Sequence, residues 1–316
     1  MTGRVLDRPS DLADTARVLF DVFRAPQFRD ARYLDWFYRQ NPLGPAIETN
    51  YADEHGLLGH MAGIPHVYHS RSGELPTMFP LNIAVLERGR GKGVMAKMTA
   101  ACYAETERRW GSALLTGMPN DNSTAYYVTK GGFRLVVPMP VKICPAVWPY
   151  FARVETHRVD AAYLASRDFE ALYDTLDTDP RDGWCEKCTL PMLRWRLSRP
   201  DSDYRIHIGQ EAVVVSSSDR RRGIPFTIVL KTFRRRSARS ARVDANGVIA
   251  AACRERRTPL AVYSGFSEWT RVRGARLPER FKPSPLNLVV SSRPLGFIDL
   301  QRFEYASYEF LEFDAY

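Results

Sequence analysis

The sequence predicts a two-domain protein of mixed α/β structure, and three observations carry that reading. The chain has 316 residues, where a single domain usually spans about 100–200. Hydrophobic spacing alternates between helical and strand periods along both halves. One apolar strand, Ile83–Leu86, runs through a glycine-rich turn directly into a helix beginning at Val94. Composition agrees with a globular chain: 45% of residues are hydrophobic and 26% charged, which excludes a mostly disordered or fibrous protein. No apolar run approaches the ~18–20 residues of a membrane span; Val248–Cys253 is among the longest. Met1–Leu12 has no apolar core behind its charges and is not read as a secretory signal. Five cysteines at irregular spacing do not make a disulfide framework. The expectation is a soluble, cytoplasmic protein without a membrane partner.

The first half alternates helices and strands. Leu12, Ala16, Leu19, Phe20 and Phe23 lie at helical spacing, and Tyr33–Tyr38 forms a short aromatic helix stopped by Asn41-Pro42. Strands are expected over Ile47–Ala52 and Gly56–His69, joined by the polar turn Asp53–Gly56, and then over Thr77–Leu86. From Val94, the residues Val94, Met98, Ala101 and Cys102 line one helix face, with Gly111 as C-cap. Ser112–Gly117 reads as a strand, Asp121–Lys130 as a helix and Phe133–Ile143 as a strand. Prolines 145, 149 and 180 mark Cys144–Asp182 as connecting chain, and the boundary falls near residue 148, giving domains 1–148 and 149–316.

The second half repeats the rhythm. Helices are expected at Phe169–Leu176, Leu193–Leu197 and Val243–Arg257, and strands at Ala212–Ser216, Phe226–Leu230 and Leu260–Tyr263, with an alternating segment at Tyr308–Phe313. Trp36 precedes Asn41-Pro42 much as Trp195 precedes Arg199-Pro200. The common order of elements and this matched tryptophan point to a duplicated domain.

The chemistry concentrates in Ile83–Val94. A helix N-terminus offers unpaired N–H groups and about half a positive charge. Glycines let backbone approach an anion closely, and Arg88, Arg90 and Lys92 add charge. These features make a diphosphate cradle. The Walker pattern fails because Gly93 follows Lys92, and the dinucleotide pattern fails because its last glycine is replaced by Val94. Arg88-Gly89-Arg90-Gly91-Lys92-Gly93 fits Arg-x-x-Gly-x-Gly instead. It resembles the acyl-CoA-binding motif of the GNAT N-acetyltransferase superfamily. Gly117–Ser123 and Lys130-Gly131-Gly132-Phe133 resemble that family's second block, and the likeness covers residues 4–143.

The resemblance implies a GNAT fold in the N-terminal half and a degenerate GNAT-like domain in the C-terminal half, which forms an acceptor cleft or dimer contacts. After Leu230 the second copy has no glycine turn. Acetyl-CoA, or another acyl-CoA, would be the co-substrate, with no metal. Ile83, Ala84 and Val85 would line the pantetheine, and Arg88, Gly89, Arg90, Gly91, Lys92, Gly93 and Val94 would hold the diphosphate. Asn120 or Asn122 would meet the CoA arm. The family's tyrosine acid falls at Val128 here, so Tyr127, one residue early, is the candidate acid. Among His60, His66 and His69, the candidate base is His66; His60 and His66 share a strand face. The acceptor is expected to be a primary amine on a small molecule, taken directly by attack on the thioester.

Two other readings stand beside this one: an aminoacyl-tRNA-dependent transferase, and a non-catalytic CoA-binding or partner-binding protein. The formal net charge of +9 and the clusters Arg220–Arg222 and Arg234–Arg242 suit an anionic partner, although nucleic acid is the weaker expectation. Cys185-x-x-Cys188 is a lone pair, short of the four ligands of a zinc site. The acidic, aromatic tail (Tyr308, Glu309, Phe310, Glu312, Phe313, Asp314) would offer carboxylates to a cationic acceptor if it packed between the halves.

Overall fold

The fold is taken from a computed structural model describing residues 3–6, 9, 11–146, 153–278, 282 and 286–313, the side chain of Asn122 excepted. In chain order it contains β1 (Arg4–Val5), α1 (Leu12–Phe23), α2 (Arg32–Arg39), β2 (Ile47–Asp53), β3 (Gly56–Ser70), β4 (Gly73–Val85), α3 (Val94–Trp110), β5 (Ala113–Gly117), α4 (Asp121–Thr129) and β6 (Arg134–Pro138). Then follow β7 (Val141–Pro145), β8 (Glu155–Arg158), α5 (Ala161–Leu164), α6 (Arg167–Asp174), β9 (Cys185–Glu186), α7 (Leu190–Leu197), β10 (Arg205–Ile208), β11 (Ala212–Arg221) and β12 (Ile224–Arg234). The last stretch holds β13 (Val243–Asp244), α8 (Asn246–Glu255), β14 (Leu260–Ser267), β15 (Thr270–Arg271), β16 (Ala275–Arg276), β17 (Asn287–Arg293) and β18 (Ser307–Glu309). No helix among the described residues is long and apolar enough to cross a membrane.

The chain divides into two units, but not at one point. The first comprises residues 1–68, 74–136 and 288–303, and the second residues 69–73, 137–287 and 304–316. The expected boundary residue 148 lies outside the described residues. A boundary read along the sequence assumes contiguous domains, whereas each sheet here takes a strand from a distant part of the chain.

In the first unit the sheet order is β1-β2-β3-β4-β5-β17-β6. β2 is antiparallel to β1 and β3, β4 runs parallel to β5 through the α3 crossover, and β17 is antiparallel to β5. Asp11 caps α1 by accepting the Ala13 amide at 2.7 Å. α2 buries Tyr33, Leu34, Trp36, Phe37 and Tyr38 together. On the opposite sheet face α3 packs Val94, Met98 and Cys102 against Ile47, Met61, Met78, Leu115 and Val289. Gly59 permits the close approach of the start of α3, since a Cβ there would lie 3.0 Å from Val94 and 3.1 Å from Met98. The predicted strand Phe133–Ile143 is broken after Pro138: β6 belongs to the first unit and β7 to the second. Pro138 and Pro140 flank the break and lack the N–H that a continuous ladder requires.

The second unit repeats this plan. β8, β10, β11 and β12 are successively antiparallel, β12 runs parallel to β14 through α8, and β14 is followed by antiparallel β7 and then β16. α7, carrying buried Trp195, corresponds in order to α2, carrying buried Trp36. The two copies differ where the parallel strands part. β12 pairs with β14 at Thr227–Val229 opposite Ala261–Tyr263, and further along β14 pairs with β18 instead, Gly265 lying opposite Glu309.

The tail therefore packs inside the second unit, and its carboxylates are already engaged. Lys231 Nζ lies 2.8 Å from Glu312 and 3.2 Å from Glu309, and Thr232 Oγ1 donates to Glu309 at 2.7 Å. Burial alone would lower the Lys231 pKa, but the two glutamates outweigh it and hold the ammonium charged. Burial pushes the Glu312 carboxyl up to about 7. Asp314 and Tyr316 lie outside the described residues. A cavity of ≈ 30 Å³ beside this cluster has room for about one water. Replacing Lys231 by Met is expected to strand two buried carboxyls and destabilise the fold by about 3–5 kcal/mol, measurable by urea unfolding; a loss below 1 kcal/mol would show that the cluster does not hold the tail.

Candidate functional site

In the first unit β4 pairs with β5 at only two positions, Thr77 with Leu114 and Met78 with Leu115. Beyond Met78 the two strands part, so the edge of β4 that leads to Val85 has no β5 ladder. The faces of β4 also change along its length. Met78 belongs to the cluster beneath α3, and five residues later Ile83, then Val85, pack on that same cluster. Regular alternation would keep even-numbered residues on one face. One extra residue is therefore absorbed, at Asn82, whose φ is +53°.

β4 ends in a short 3₁₀ turn, Glu87–Gly89, followed by Arg90 and the start of α3. Gly91 and Gly93 have φ of +74° and +72°, and a Cβ at either would meet nothing within 4 Å. These are left-handed conformations that glycine adopts without cost. Gly93 is the N-cap of α3 and offers no side-chain acceptor to the first turn. The amides there point away from the helix body with the positive end of the helix dipole behind them. Arg90, Gly91, Lys92 and Gly93 are exposed, while Ala84, Gly89 and Val94 are buried. The residues fit a diphosphate: open backbone donors, no side chain in the way, and two solvent-facing cations.

Arg88 is placed differently from the expectation. Its guanidinium holds Asp53 and the carbonyl of Leu57, 3.3 Å away. The hydrogen bond from Arg88 keeps the Asp53 carboxyl below its ordinary range. Arg88 thus ties the end of β4 to the β2–β3 turn, while Arg90 and Lys92 are exposed on either side of Gly91. Asn120 is exposed and caps α4, its Oδ1 accepting the Ser123 amide at 3.1 Å; the side chain of Asn122 lies outside the described residues.

Both candidate proton-transfer residues are packed inside. Tyr127 lies in the α3 cluster, edge-on to Phe133 with ring centroids 5.0 Å apart. Burial raises its hydroxyl pKa, away from that of a leaving thiol. The one-residue shift along α4 is about a 100° turn; it sends Tyr127 into the core and leaves Val128 41% exposed. His66 is buried and edge-on to Phe79. His60 shares its face, as expected, but is bonded to Asn50 and Tyr38. Tyr127 shares its cluster with Ile83 and Val85 of β4.

Other groups were less legible in the sequence. Glu48 on β2 has a buried Oε2 that accepts no hydrogen bond among the described residues, and burial pushes its carboxyl up to about 7 against the pull of Arg39. Its only sequence signal is an acidic residue inside an otherwise half-apolar strand. Within the arginine cluster at 234–242, Arg234 pairs with Asp177 at 2.8 Å, Arg236 with Asp179 at 2.8 Å, and Arg242 donates to the Thr270 carbonyl, while Arg239 is exposed. Arg220–Arg222 lie exposed at the β11–β12 hairpin tip. Burial pushes the Cys185 thiol up to about 12, and no metal-holding group of three His, Cys, Asp or Glu side chains occurs among the described residues.

The Glu48 environment sets a pH dependence. Its folded pKa lies above the ordinary carboxyl value, so the folded state binds more protons between about 4.5 and 7. Its contribution is intact below that window and turns unfavourable as pH rises through about 7. Glu48→Gln is expected to raise the melting midpoint at pH 8 by roughly 2–4 °C and to leave it unchanged at pH 4. An equal effect at both pH values would contradict this assignment.

No protein-family sequence model matches the chain, and no curated protein matches it in sequence. Solved structures do match in fold. A probable N-acyltransferase of Enterococcus faecalis is similar over 92% of this chain and 73% of its own, with a TM-score of 0.62 at 12% identity. A GCN5-related N-acetyltransferase from Anabaena variabilis gives 92%, 72%, 0.61 and 12% for the same quantities. The N-myristoyltransferase of Saccharomyces cerevisiae, solved with bound myristoyl-CoA, gives 91%, 82%, 0.53 and 9%. The topology and these likenesses together identify the architecture: the chain carries the GCN5-related N-acetyltransferase fold in tandem.

Proposed function

We propose that the protein is an acyl-CoA-dependent N-acyltransferase whose first unit takes acetyl-CoA as donor and a primary amine of a small molecule as acceptor. The observation that carries this reading is the continuity of the parted edge of β4 with the open turn at Gly91–Gly93. A thioester carrier needs both features: a channel for its arm and a cradle for its diphosphate.

In this reading the amides of Gly91, Gly93 and Val94 hold the diphosphate, with Arg90 and Lys92 adding charge. The pantetheine lies along Ile83–Val85, whose main chain has no β5 partner and can donate to the thioester carbonyl. The neutral amine nitrogen attacks that carbon, the C–S bond breaks, and the electron pair leaves on sulfur. One proton departs from the amine and one is taken up by the thiolate, whose pKa is ~8.5 by analogy with cysteine. Most of the acceleration comes from positioning the two reactants and from the oxyanion donors. With Tyr127 in the core, the reading assigns proton transfer to solvent at the open edge, and it gives the second unit no CoA-binding role. There the corresponding split is filled by β18, and α8 begins beside Asp244, whose carboxylate accepts the Asn246 amide at 2.9 Å. The engagement of Arg234, Arg236 and Arg242 within their own unit speaks against the tRNA-dependent alternative.

The test is calorimetric titration with acetyl-CoA and free CoA, followed by mass spectrometry of an amine panel. Gly91→Glu puts a side chain at a left-handed φ and an anion in the cradle. It should weaken CoA binding at least about tenfold, or 1.4 kcal/mol, while the backbone strain lowers the melting midpoint by only about 2–4 °C. Wild-type affinity in that variant would contradict the placement of the diphosphate.

A further inference from the structure

Three features of the first unit have no part in the chemistry described above, and they connect. Asn82 holds the left-handed kink of β4. Regular alternation from Met78 would direct position 82 toward α3, yet its side-chain amide donates to the Tyr38 hydroxyl on α2, 2.8 Å away. Tyr38 lies on the other sheet face: its oxygen is 3.0 Å from His60 Nε2, while the neighbouring Met61 faces α3 and is touched by Thr99. His60 Nδ1 in turn lies 2.6 Å from Asn50 Oδ1 on β2.

The direction of this chain follows from its donors. Asn50 Oδ1 can only accept, so the ring proton of neutral His60 sits on Nδ1, and Nε2 accepts the Tyr38 hydroxyl, which itself accepts the Asn82 amide. Burial lowers the His60 pKa to about 3, so the imidazole keeps this state across the physiological range. Tyr38, His60 and Asn50 are all fully buried, and the Tyr38 and His60 rings stack with centroids 5.6 Å apart. A non-glycine residue at positive φ persists where its surroundings fix it. β5 does not clamp β4 at this point, so the side-chain chain supplies a constraint the sheet lacks.

We propose that the relay Asn82–Tyr38–His60–Asn50 fixes the kink of β4 and thereby aims the main chain of Ile83–Val85, making Asn82 and Tyr38 positioning residues for the thioester carbonyl. This rests on the reading of β4 as the thioester strand. It is separable from the cradle, because the diphosphate site lies beyond the turn at Glu87–Gly89.

Two variants test it. Asn82→Gly keeps the left-handed backbone and removes the amide; Tyr38→Phe keeps the ring and removes the hydroxyl. The probes are free CoA, read by calorimetry, and acetyl-CoA labelled with ¹³C at the carbonyl, read by NMR. In the wild type the bound carbonyl resonance should move downfield from its position in water. Each variant should bind free CoA within about twofold of wild type and lose most of that displacement. The double variant should lose no more than either single, because the groups act as one unit. An unchanged carbonyl resonance in both variants would overturn the proposal. So would a parallel loss of CoA affinity, which would mark the relay as general scaffolding. A wild-type protein that does not bind free CoA would remove the functional reading itself, and the positioning role with it.

Discussion

The parting of β4 from β5 is the constraint around which the first unit is organised. Two parallel strands that pair for two residues and then diverge leave main-chain donors and acceptors without a ladder, and buried groups of that kind are costly. The unit stabilises the divergence on every other side. β17 closes the far edge of β5, α3 packs directly onto β3 where Gly59 has no side chain, and Arg88 secures the end of β4 to the β2–β3 turn. The edge of β4 along the split has no β5 partner beyond Met78. It leads into a turn whose own donors also face solvent.

The duplicated second unit shows what the same topology does when the split is not kept open. Its parallel strands part after Val229, and the gap is taken by β18. Lys231, placed between Glu309 and Glu312, locks that strand and the following turn in place. A buried ion cluster of this kind contributes less to net stability than well-packed apolar residues would, but it cannot be rearranged cheaply, which suits a plug. The glycine turn is absent there as well. Both differences fall in the same copy.

Much of this was legible in the sequence where interactions are local. The glycine turn, the helix from Val94 and the matched Trp36 and Trp195 follow from spacing and turn chemistry. Long-range decisions were not legible. The segment of β17 reads Leu288-Val289-Val290, an apolar run whose partner Gly117 lies far back in the chain, so nothing nearby reveals it. The exchange of β7 and β17 between sheets likewise has no local signal beyond Pro138 and Pro140. The sequence pattern put Arg88 among the cradle charges and gave no sign of its bond to Asp53 at the end of β2. Tyr127 was placed by a motif offset, and the helix phase buried it. Asn82 shows the same limit: an asparagine in an apolar strand is visible, while its role depends on Tyr38 and His60 meeting it from two other elements.

The account stands on backbone donors at the Gly91–Val94 turn receiving the diphosphate of a thioester carrier. Amide NMR during titration with coenzyme A tests this most directly. The resonances of Gly91, Gly93 and Val94 should move downfield together and saturate with one affinity, while that of Asn246, at the start of α8, stays in place. Saturable binding with those three amides unmoved would contradict it.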